Sequence, residues 1–264
     1  MNKRIVVLGA GISGIGAAIL AKQKGFDVFV SDNGKIANEN KQVLSSNVIN
    51  WEESRHTFHK ILNAYEVIKS PGIPDKAEII KQLHLQGIPV ISEIEFAFRY
   101  TKAKIAAITG SNGKTTTSYL LGHVLQAAGY DVLVAGNVGV GFASSIAERD
   151  YDYIVLELSS FQLDGIKAFR SDVAIILNIT ADHLERYGYN LDNYIKSKLS
   201  ITSNQISTDS LIYNIDDSNV QKIKTKARKL PISLINKQNP GGFLNNNKLI
   251  INLNNTTMTI QELA

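Results

Sequence analysis

The sequence predicts an α/β protein built from parallel β-sheets with helices on their faces. Several apolar runs, such as IVVL, YIVL and VAIIL, are short and uninterrupted, as is typical of parallel strands buried on both sides. Longer helical patterns separate these runs, which indicates doubly wound βα units. Two glycine-rich loops, each between a predicted strand and a predicted helix, indicate phosphate-binding turns. We therefore expect an N-terminal Rossmann-like parallel-sheet domain followed by a P-loop-type α/β nucleotide-binding domain.

The predicted elements fall into two series. The first series has strands at 4–8, 27–30, 65–69 and 90–91 and helices at 12–24 and 75–86. The second has strands at 104–109, 131–135, 152–158 and 172–177 and helices at 114–128 and 191–202. Between them a helical stretch ends in the polar pair Thr101 and Lys102, and we predict domains at 1–93 and 94–264. The last third adds predicted strands at 211–214 and 231–234 and, after the turn-rich stretch 239–247, a hairpin at 248–253.

Composition excludes several classes of protein. The 264 residues include no cysteine, so neither a disulfide framework nor a thiolate metal site is possible. The net charge of +4 is spread along the chain, which suits phosphate-bearing small molecules and predicts no nucleic-acid partner.

The N-terminus superficially resembles an export signal. Lys3 and Arg4 precede the uncharged stretch 5–20, but glycines at 9, 11, 14 and 16 interrupt it. It is also shorter than the ~20 apolar residues that span a bilayer. We expect a strand and a helix here, no membrane partner and a cytoplasmic location.

The first glycine-rich motif is GAGISG at 9–14, directly after a predicted strand. Small residues let the backbone turn tightly and approach a diphosphate at the helix N-terminus. Asp32 follows the second predicted strand, where an acidic side chain can accept hydrogen bonds from sugar hydroxyls. The motif alone leaves three alternatives open: a nucleotide-diphosphate site, a nicotinamide or flavin site, and a tight turn without a ligand.

The second motif, GSNGKTTT at 110–117, follows an apolar strand and begins the next helix. Backbone N–H groups of such a loop surround phosphate oxygens, the lysine reaches the β- and γ-phosphates, and a hydroxyl completes a Mg²⁺ shell. It departs from the longer P-loop pattern, because Ile108 stands where that pattern has its first glycine. A glycine turn with an ordinary solvated lysine is the weaker alternative. The motif predicts a nucleoside-triphosphate site.

Two further side chains follow strands of the same predicted sheet. Glu157 ends one strand, and His183 follows the next, which ends at Asn178. Because ligands of open parallel sheets bind beyond the carboxyl ends of the strands, both should lie beside the phosphate loop, where they could hold a divalent cation. Taken singly, Glu157 could instead cap the next helix and His183 could be an ordinary loop histidine.

Lys198 borders the face of the helix at 191–202 that carries Leu191, Ile195 and Leu199. Spacing alone favours a lysine whose amine reaches water. The alternative is a desolvated lysine with a lowered pKa, whose neutral amine could take up CO₂ as a carbamate and become an anionic metal ligand.

The other histidines carry no predicted function. His56 and His59 lie in a polar helical stretch without an obvious third ligand, so we expect surface residues. Nothing in the sequence marks His84 or His123 as a ligand.

The order of these motifs resembles that of the Mur ligases, ATP-dependent enzymes of peptidoglycan precursor synthesis. Within that family the resemblance is greatest to the members that add D-glutamate to UDP-N-acetylmuramoyl-L-alanine, and it runs over essentially all 264 residues. The segments that carry it are GAGISG at 9–14, SPGI at 70–73, GSNGKTTT at 110–117, AGNVG at 135–139, LELSSFQL at 156–163 and NITADHLERY at 178–187.

The resemblance implies substrate-binding roles for individual positions. The uridine diphosphate portion of the acceptor would be held by Ile12, Ser13, Asp32, Asn33, Ser70, Pro71 and Gly72. Asn137 and His183 would approach the muramoyl-alanine end, and Ser159 would be a further substrate-binding residue.

It also implies how ATP and metal would bind. The ATP phosphates would be held by Gly110, Ser111, Asn112, Gly113, Lys114, Thr115 and Thr116. Thr115 and Glu157 would serve one Mg²⁺, and His183 with a carbamylated Lys198 would hold a second. Lys114, His183 and Lys198 would be the catalytic residues.

The implied reaction activates the alanine carboxylate as an acyl phosphate, which the amine of D-glutamate then attacks. The family has three domains and is usually monomeric, whereas this chain ends at Ala264, within the second. We therefore expect that the chain lacks the D-glutamate domain and cannot complete the ligation alone. Two other hypotheses stay open: a non-catalytic UDP-sugar or nucleotide-binding fragment, and a NAD-dependent oxidoreductase built on the first motif, which leaves the second unexplained.

Overall fold

Two β-sheets organise the part of the chain that the computed structural model describes, residues 3–221, 223–253 and 256–262. The strands are β1 Arg4–Leu8, β2 Asp27–Ser31, β3 Asn50–Glu52, β4 Glu66–Lys69, β5 Val90–Ile91, β6 Lys104–Thr109, β7 Val132–Gly136, β8 Tyr153–Glu157, β9 Val173–Ile176, β10 Ser210–Asn214, β11 Arg228–Ser233, β12 Gly241–Asn245, β13 Lys248–Leu253 and β14 Thr256–Glu262. The helices are α1 Ile12–Gln23, α2 Asn38–Ser46, α3 Phe58–Ile61, α4 Glu78–Leu85, α5 Glu93–Phe98, α6 Lys114–Ala127, α7 Phe142–Glu148, α8 Ser160–Leu163, α9 Leu191–Leu199 and α10 Ser218–Gln221. The predicted α/β class is confirmed.

The first sheet contains five parallel strands in the order β3-β2-β1-β4-β5. Strand β1 lies in the middle, and its residue Val6 pairs with Phe29 of β2 and Val67 of β4. The chain runs from β1 outwards to β2 and β3 and then returns to β4 on the other side. The order therefore reverses between β1 and β4, and in doubly wound folds this is where a ligand crevice forms.

The second sheet has the order β14-β13-β12-β11-β10-β9-β6-β8-β7. Strand β6 is parallel to both β8 and β9, with Ile108 opposite Glu157 and Thr109 opposite Ile176. These registers bring the ends of three strands level, so the residues that follow them meet at one edge. Strands β10, β11 and β12 continue the parallel part, and β13 and β14 are antiparallel.

The predicted hairpin at 248–253 is confirmed, although its turn is shorter than expected. Gly241–Asn245 forms β12, so only Asn246 and Asn247 make the reversal into β13. Both have positive φ, a conformation that asparagine tolerates better than most residues and that two-residue hairpin turns require.

Sequence patterns missed several elements that have little apolar periodicity. Strand β3 has three residues, and helix α2 buries only Leu44, so neither shows a clear apolar period. Helices α3, α7, α8 and α10 have seven residues or fewer and were missed for the same reason. The helix expected at 191–202 is α9 followed by a 3-10 turn at Ser200–Thr202.

Contacts group the described residues into two units. The first comprises the chain up to Ala103 with Leu133–Asp152 and Phe161–Phe169, and the second comprises the remaining segments from Lys104 onward. In the first, residues of β1 such as Val6 and Leu8 pack with Ile80 and Leu83 of α4 in a buried apolar cluster. No helix among the described residues is long and apolar enough to cross a membrane.

Candidate nucleotide and metal sites

The glycine turn between β1 and α1 is a place of close backbone approach. Gly9 has a φ of +92°, which favours glycine. A Cβ on Gly9 would collide with the side chain of Ser70, and a Cβ on Gly14 would collide with the carbonyl oxygen of Gly9. Glycine at these two positions is thus required by the turn itself and by its contact with the residue that follows β4.

Asp32 holds this turn in place. Its Oδ2 accepts a hydrogen bond of 2.7 Å from the N–H of Ala10, and its Oδ1 accepts one of 2.7 Å from the N–H of Gly34. Asn40 of α2 donates to the Ala10 carbonyl at 2.8 Å, a contact that sequence reasoning missed. The carboxylate of Asp32 therefore has a structural task, and its predicted contact with a sugar stays a prediction.

The other predicted residues of the first unit have different surroundings. Ile12 is 75% exposed at the start of α1, and Asn33 is exposed beyond β2. Ser70 lies at the end of β4, where its N–H donates to the Leu8 carbonyl at 2.9 Å. The structure thus brings Asp32 and Ser70 to the glycine turn. Ser13, Pro71, Gly72 and Asn137 lie in the adjoining segments at the start of α1, after β4 and after β7.

The second glycine loop joins β6 to α6. Gly113 has a φ of +82° and stands at the N-cap of α6, which no side chain caps. Lys114 Nζ donates to the carbonyl oxygens of Gly110 at 2.9 Å and Ser111 at 3.0 Å. An uncapped helix N-terminus with a lysine folded across the loop is the arrangement that favours phosphate.

Residues after β9 fasten this loop. Asn178 accepts from the N–H of Asn112 at 2.8 Å and donates to its carbonyl oxygen at 3.1 Å. The hydroxyl of Ser111 bonds to the backbone of Thr180 and lies 3.3 Å from the hydroxyl of the buried Tyr194. Sequence analysis did not single out Asn178 or Tyr194. The position of Asn178 directly after a predicted strand was the available signal.

Glu157 meets Thr115 across the loop. Glu157 ends β8 and is 2% exposed, and its Oε2 accepts a 2.8 Å hydrogen bond from the Thr115 hydroxyl. A carboxylate and a hydroxyl oxygen at this separation are ligands of the kind that Mg²⁺ binds beside nucleotide phosphates. These residues therefore fit the predicted metal. Among the described residues there is no cluster of three or more His, Cys, Asp or Glu side chains that could hold a metal ion.

Lys198 is buried, contrary to the expectation from spacing alone. It is 2% exposed, its Nζ donates to the Gly110 carbonyl at 2.8 Å, and its charge lies 4.8 Å from the centre of the Tyr194 ring.

The buried side of α9 was also predicted wrongly. It carries Tyr194, Ser197 and Lys198, whereas Leu191, Ile195 and Leu199 are only partly buried. The reason is that polar groups of α9 bond to neighbouring backbone: Ser197 donates to the Ser160 carbonyl at 3.0 Å and Lys198 to that of Gly110.

His183 lies among carboxylates in an exposed segment. It has a φ of 49°, its side chain is 54% exposed, and its ring nitrogens are 3.6 Å from Asp182 and 3.8 Å from Glu185. Ser159 is half-buried and lies two residues after the end of β8. The structure thus brings Lys114 and Lys198 together at the Gly110 carbonyl, and it brings Thr115 to Glu157. His183 lies beside Asp182 and Glu185.

The expectation for His56 was wrong. Its ring is half-buried, and Nδ1 lies 2.8 Å from the hydroxyl of the buried Ser31. His59 is exposed, as expected, and His84 and His123 are exposed as well.

The fold and the second loop together define a P-loop-type nucleotide-binding α/β protein, preceded by a Rossmann-like unit. Residues 108–261 match the Mur ligase middle domain, and residues 4–79 match the MurD N-terminal domain. The chain belongs to the Mur ligase family.

Curated relatives extend this match over the whole chain. The chain is 49% identical over 270 residues to the UDP-N-acetylmuramoylalanine–D-glutamate ligase of Christiangramia forsetii, covering 100% of this chain and 61% of that protein. It is 51% identical over 253 residues to the enzyme of the same name from Bacteroides fragilis, covering 94% of this chain and 57% of that protein. The chain thus spans about three-fifths of the length of these relatives.

Solved structures share the fold at low identity. A ligase from Neisseria meningitides, UDP-N-acetylmuramate:L-alanyl-gamma-D-glutamyl-meso-diaminopimelate ligase, has a TM-score of 0.63 at 17% identity, covering 97% of this chain and 86% of that one. UDP-N-acetylmuramate-alanine ligase from Thermotoga maritima has a TM-score of 0.55 at 20% identity, covering 95% of this chain and 57% of that one. These likenesses support the α/β architecture.

Proposed function

We propose that this chain supplies the acceptor site and the ATP site of an enzyme that joins D-glutamate to UDP-N-acetylmuramoyl-L-alanine. Two sets of contacts at the second loop carry the proposal. Lys114 and Lys198 both donate to the Gly110 carbonyl, and Thr115 donates to Glu157. A dehydrogenase has no need of this arrangement. The relatives are longer than this chain, so we propose the complete reaction for the whole protein and the two binding steps for this chain.

The ATP phosphates would bind at the loop 110–116, against the N-terminus of α6. Lys114 would turn from the carbonyls of Gly110 and Ser111 to the phosphate oxygens and neutralise charge during transfer. Thr115 and Glu157 would hold one Mg²⁺. When bound, this ion would supply charge neutralisation at the phosphates. The tethers to Asn178 and Thr180 would keep the loop in position for transfer.

The UDP portion of the acceptor would bind at the first glycine turn. The proposed contacts are Ile12, Ser13, Asp32, Asn33, Ser70, Pro71 and Gly72, with Asn137, Ser159 and His183 towards the muramoyl-alanine end. The order reversal between β1 and β4 supports this placement, because Gly9 and Ser70 meet there. We also propose domains at 1–93 and 94–264, as the two series of elements in the sequence predict. We propose further that the protein is a monomer and that the reaction is cytoplasmic.

Carbamylation of Lys198 is part of the proposal. Two lysine ammonium groups donate to one carbonyl oxygen, so their charges oppose each other in a buried place. The Lys198 ammonium would first lose a proton. The neutral amine would then attack CO₂, forming an N–C bond and releasing a second proton, so that a carbamate anion would replace one of the two cations. That carbamate, with His183, would be the ligand set for a second Mg²⁺.

The reaction we propose proceeds in two steps. An oxygen of the alanine carboxylate attacks the γ-phosphorus of ATP, and ADP leaves, giving an acyl phosphate. The amine of D-glutamate then attacks the acyl carbon, inorganic phosphate leaves, and the amine loses a proton as the amide forms. The chain's own residues would position the two substrates and neutralise charge.

Calorimetric titration of this chain tests the proposal. We expect binding of UDP-N-acetylmuramoyl-L-alanine and of ATP with Mg²⁺, and no binding of NAD⁺. Binding of NAD⁺ alone would overturn the ligase proposal and favour the oxidoreductase. If the UDP-sugar binds and ATP does not, the result would favour a non-catalytic UDP-sugar-binding fragment.

Carbamylation is tested separately by magnetic resonance with isotope-labelled bicarbonate. We expect a carbamate carbonyl signal that is lost in Lys198→Ala and retained in Lys196→Ala, since Lys196 is exposed on the same helix. A signal that survives in Lys198→Ala would place the carbamate elsewhere.

A further inference from the structure

Three polar side chains form a cluster where β2 ends; we refer to Ser31, Glu52 and His56 as the Ser31 cluster. Ser31 Oγ lies 2.8 Å from Glu52 Oε1 and 2.8 Å from His56 Nδ1. Ser31 and Glu52 are buried and His56 is half-buried. The N–H of Thr57 also donates to Glu52 Oε1, at 2.7 Å.

The number of hydrogens on each side chain determines which group donates each hydrogen bond in the Ser31 cluster. Burial raises the pKa of Glu52, but hydrogen bonds from Thr57 and Ser31 outweigh it, and the pKa lies below its usual value. The carboxylate is therefore ionised at neutral pH and only accepts. Ser31 has a single hydroxyl hydrogen, which it donates to Glu52 Oε1. The contact with His56 then requires a hydrogen on Nδ1, which donates to the Ser31 oxygen.

This tautomer leaves a lone pair on His56 Nε2. Burial, the largest effect, lowers the pKa of His56, and the charges of Asp32 and Glu52 offset it only in part. The ring is therefore neutral at pH 7, with its one hydrogen on Nδ1. No described residue is hydrogen-bonded to Nε2, and the ring is only half-buried. His56 thus presents an acceptor to an incoming group.

Backbone hydrogen bonds place the segment that carries His56 beside the residues that follow β2. The N–H of Ser54 donates to the Gly34 carbonyl at 2.9 Å, and that of Arg55 donates to the Asp32 carbonyl at 3.3 Å. The segment that carries His56 therefore runs along the residues after β2, and Asp32 itself holds Ala10 of the turn. In dinucleotide folds the acidic residue after the second strand lies at the nucleoside, so His56 lies on the nucleoside side of the turn.

We propose that His56 is a specificity-determining residue that selects the nucleobase, its Nε2 accepting a hydrogen bond from the imide N–H of uracil. Cytosine has an acceptor nitrogen at that ring position, so Nε2 would face a second lone pair. Ser31 and Glu52 act through His56 as positioning residues, because they fix the tautomer. The inference rests on the proposed acceptor function and specifies how the base of the UDP-sugar is recognised.

Calorimetric titration with UDP, CDP and N3-methyl-UDP tests the inference on the intact chain. The methylated analogue replaces the imide hydrogen and leaves the diphosphate unchanged. We expect the wild-type chain to bind UDP about tenfold more tightly than either analogue. His56→Phe, which removes both ring nitrogens, should still bind UDP but lose most of this preference. His59→Phe, at an exposed neighbouring position, is the matched control and should keep it.

A proton–nitrogen correlation spectrum of the wild-type imidazoles measures the tautomer of His56 directly and does not depend on the stability of a variant. We expect one ring with a hydrogen on Nδ1 and a bare Nε2 whose resonance moves when UDP binds. A hydrogen on Nε2 in the free protein would overturn the tautomer and with it the inference. UDP preference that persists in His56→Phe would overturn the role of His56 and leave the proposed acceptor function standing. Failure of the wild-type chain to bind UDP or the UDP-sugar would overturn the acceptor function itself.

Discussion

The glycine turns at 9–14 and 110–117 share a backbone plan, but different side chains surround them. Each joins a buried parallel strand to a helix that no side chain caps, and neither helix has an acidic residue in its first turn. The first turn is held by a carboxylate and an amide, from Asp32 and Asn40, and by packing against Ser70. The second is crossed by two lysines and faces Glu157 through Thr115.

The different side chains around the two turns suit two different tasks, the binding of a diphosphate and the transfer of a phosphoryl group. A turn held by one carboxylate, one amide and close packing can bind a diphosphate without acting on it. A turn with two lysine side chains and a pair of oxygen ligands can neutralise charge while a phosphoryl group moves. The side chains that follow neighbouring strands, more than the glycines, therefore decide which turn would bind and which would transfer.

The largest expected effect comes from Gly14→Ala. The added Cβ would overlap the carbonyl oxygen of Gly9. We expect the free energy of unfolding of the first unit to fall by about 3 kcal/mol or more, and UDP-sugar binding to be lost with it. Urea denaturation measures the change.

Two glycine variants serve as controls for this comparison. A Cβ on Gly11 meets nothing within 4 Å, so Gly11→Ala should change stability by about 0.5 kcal/mol or less. A Cβ on Gly110 would come no closer than 3.1 Å to Leu177, so Gly110→Ala should have an intermediate effect. Equal losses for Gly11 and Gly14 would show that close approach does not explain the first turn.

A third helix N-terminus gives the next largest effect. Glu93 is buried and accepts the N–H of Ala143 at the start of α7, and burial raises its pKa from 4.5 to about 7. Because its folded pKa lies above the unfolded value, the folded state keeps the proton between these values and loses that stabilisation as pH rises. We expect wild-type stability to fall by up to about 3 kcal/mol from pH 4.5 to pH 7, relative to Glu93→Gln.

Chemical denaturation at a series of pH values measures this difference. Glu78→Gln, at an exposed position on α4, is the control and should follow the wild-type curve. A Glu93→Gln curve parallel to that of the wild type would contradict the prediction.

Lys114→Ala should act on the second turn alone. We expect ATP affinity to fall about 10- to 100-fold, since charge-assisted hydrogen bonds to phosphate would be lost. UDP-sugar affinity should not change. Titration of both ligands into this variant and into Lys102→Ala, an exposed control, measures the contrast. Unchanged ATP affinity in Lys114→Ala would remove the basis for distinguishing the two turns.

The smallest expected effect is that of Glu157→Gln. The amide can still accept from Thr115, but it is a weaker ligand for Mg²⁺ than a carboxylate. We expect the gain in ATP affinity on adding Mg²⁺ to shrink about tenfold, while affinity without Mg²⁺ stays similar. Glu148→Gln, at the exposed end of α7, should keep the full gain. An unchanged gain in Glu157→Gln would mean that another residue holds the metal.

Sequence patterns predicted the parts of the fold that depend on local chemistry. Continuous apolar runs identified most of the buried strands of both sheets, and glycine spacing identified both turns, because a buried strand and a tight turn each leave a local pattern. The rule that ligands gather at the carboxyl ends of strands also predicted that Glu157 lies beside the phosphate loop, where it accepts a hydrogen bond from Thr115.

The rest depended on distant partners. Lys198 reaches a carbonyl 88 positions earlier in the chain, and Asn178 holds a loop 66 positions earlier. Spacing within one helix could not reveal that polar groups, and not Leu191 or Ile195, would face inward on α9. His56 was assigned to the surface because its partner, Ser31, lies 25 positions earlier in β2 and leaves no local pattern around His56.

The carbonyl oxygen of Gly110 accepts hydrogen bonds from two lysine side chains, Lys114 at the start of α6 and Lys198 in α9. Two positive charges at one oxygen repel each other, so a phosphate that bound there would offset this repulsion. We therefore expect nucleotide binding to raise the free energy of unfolding of the second unit.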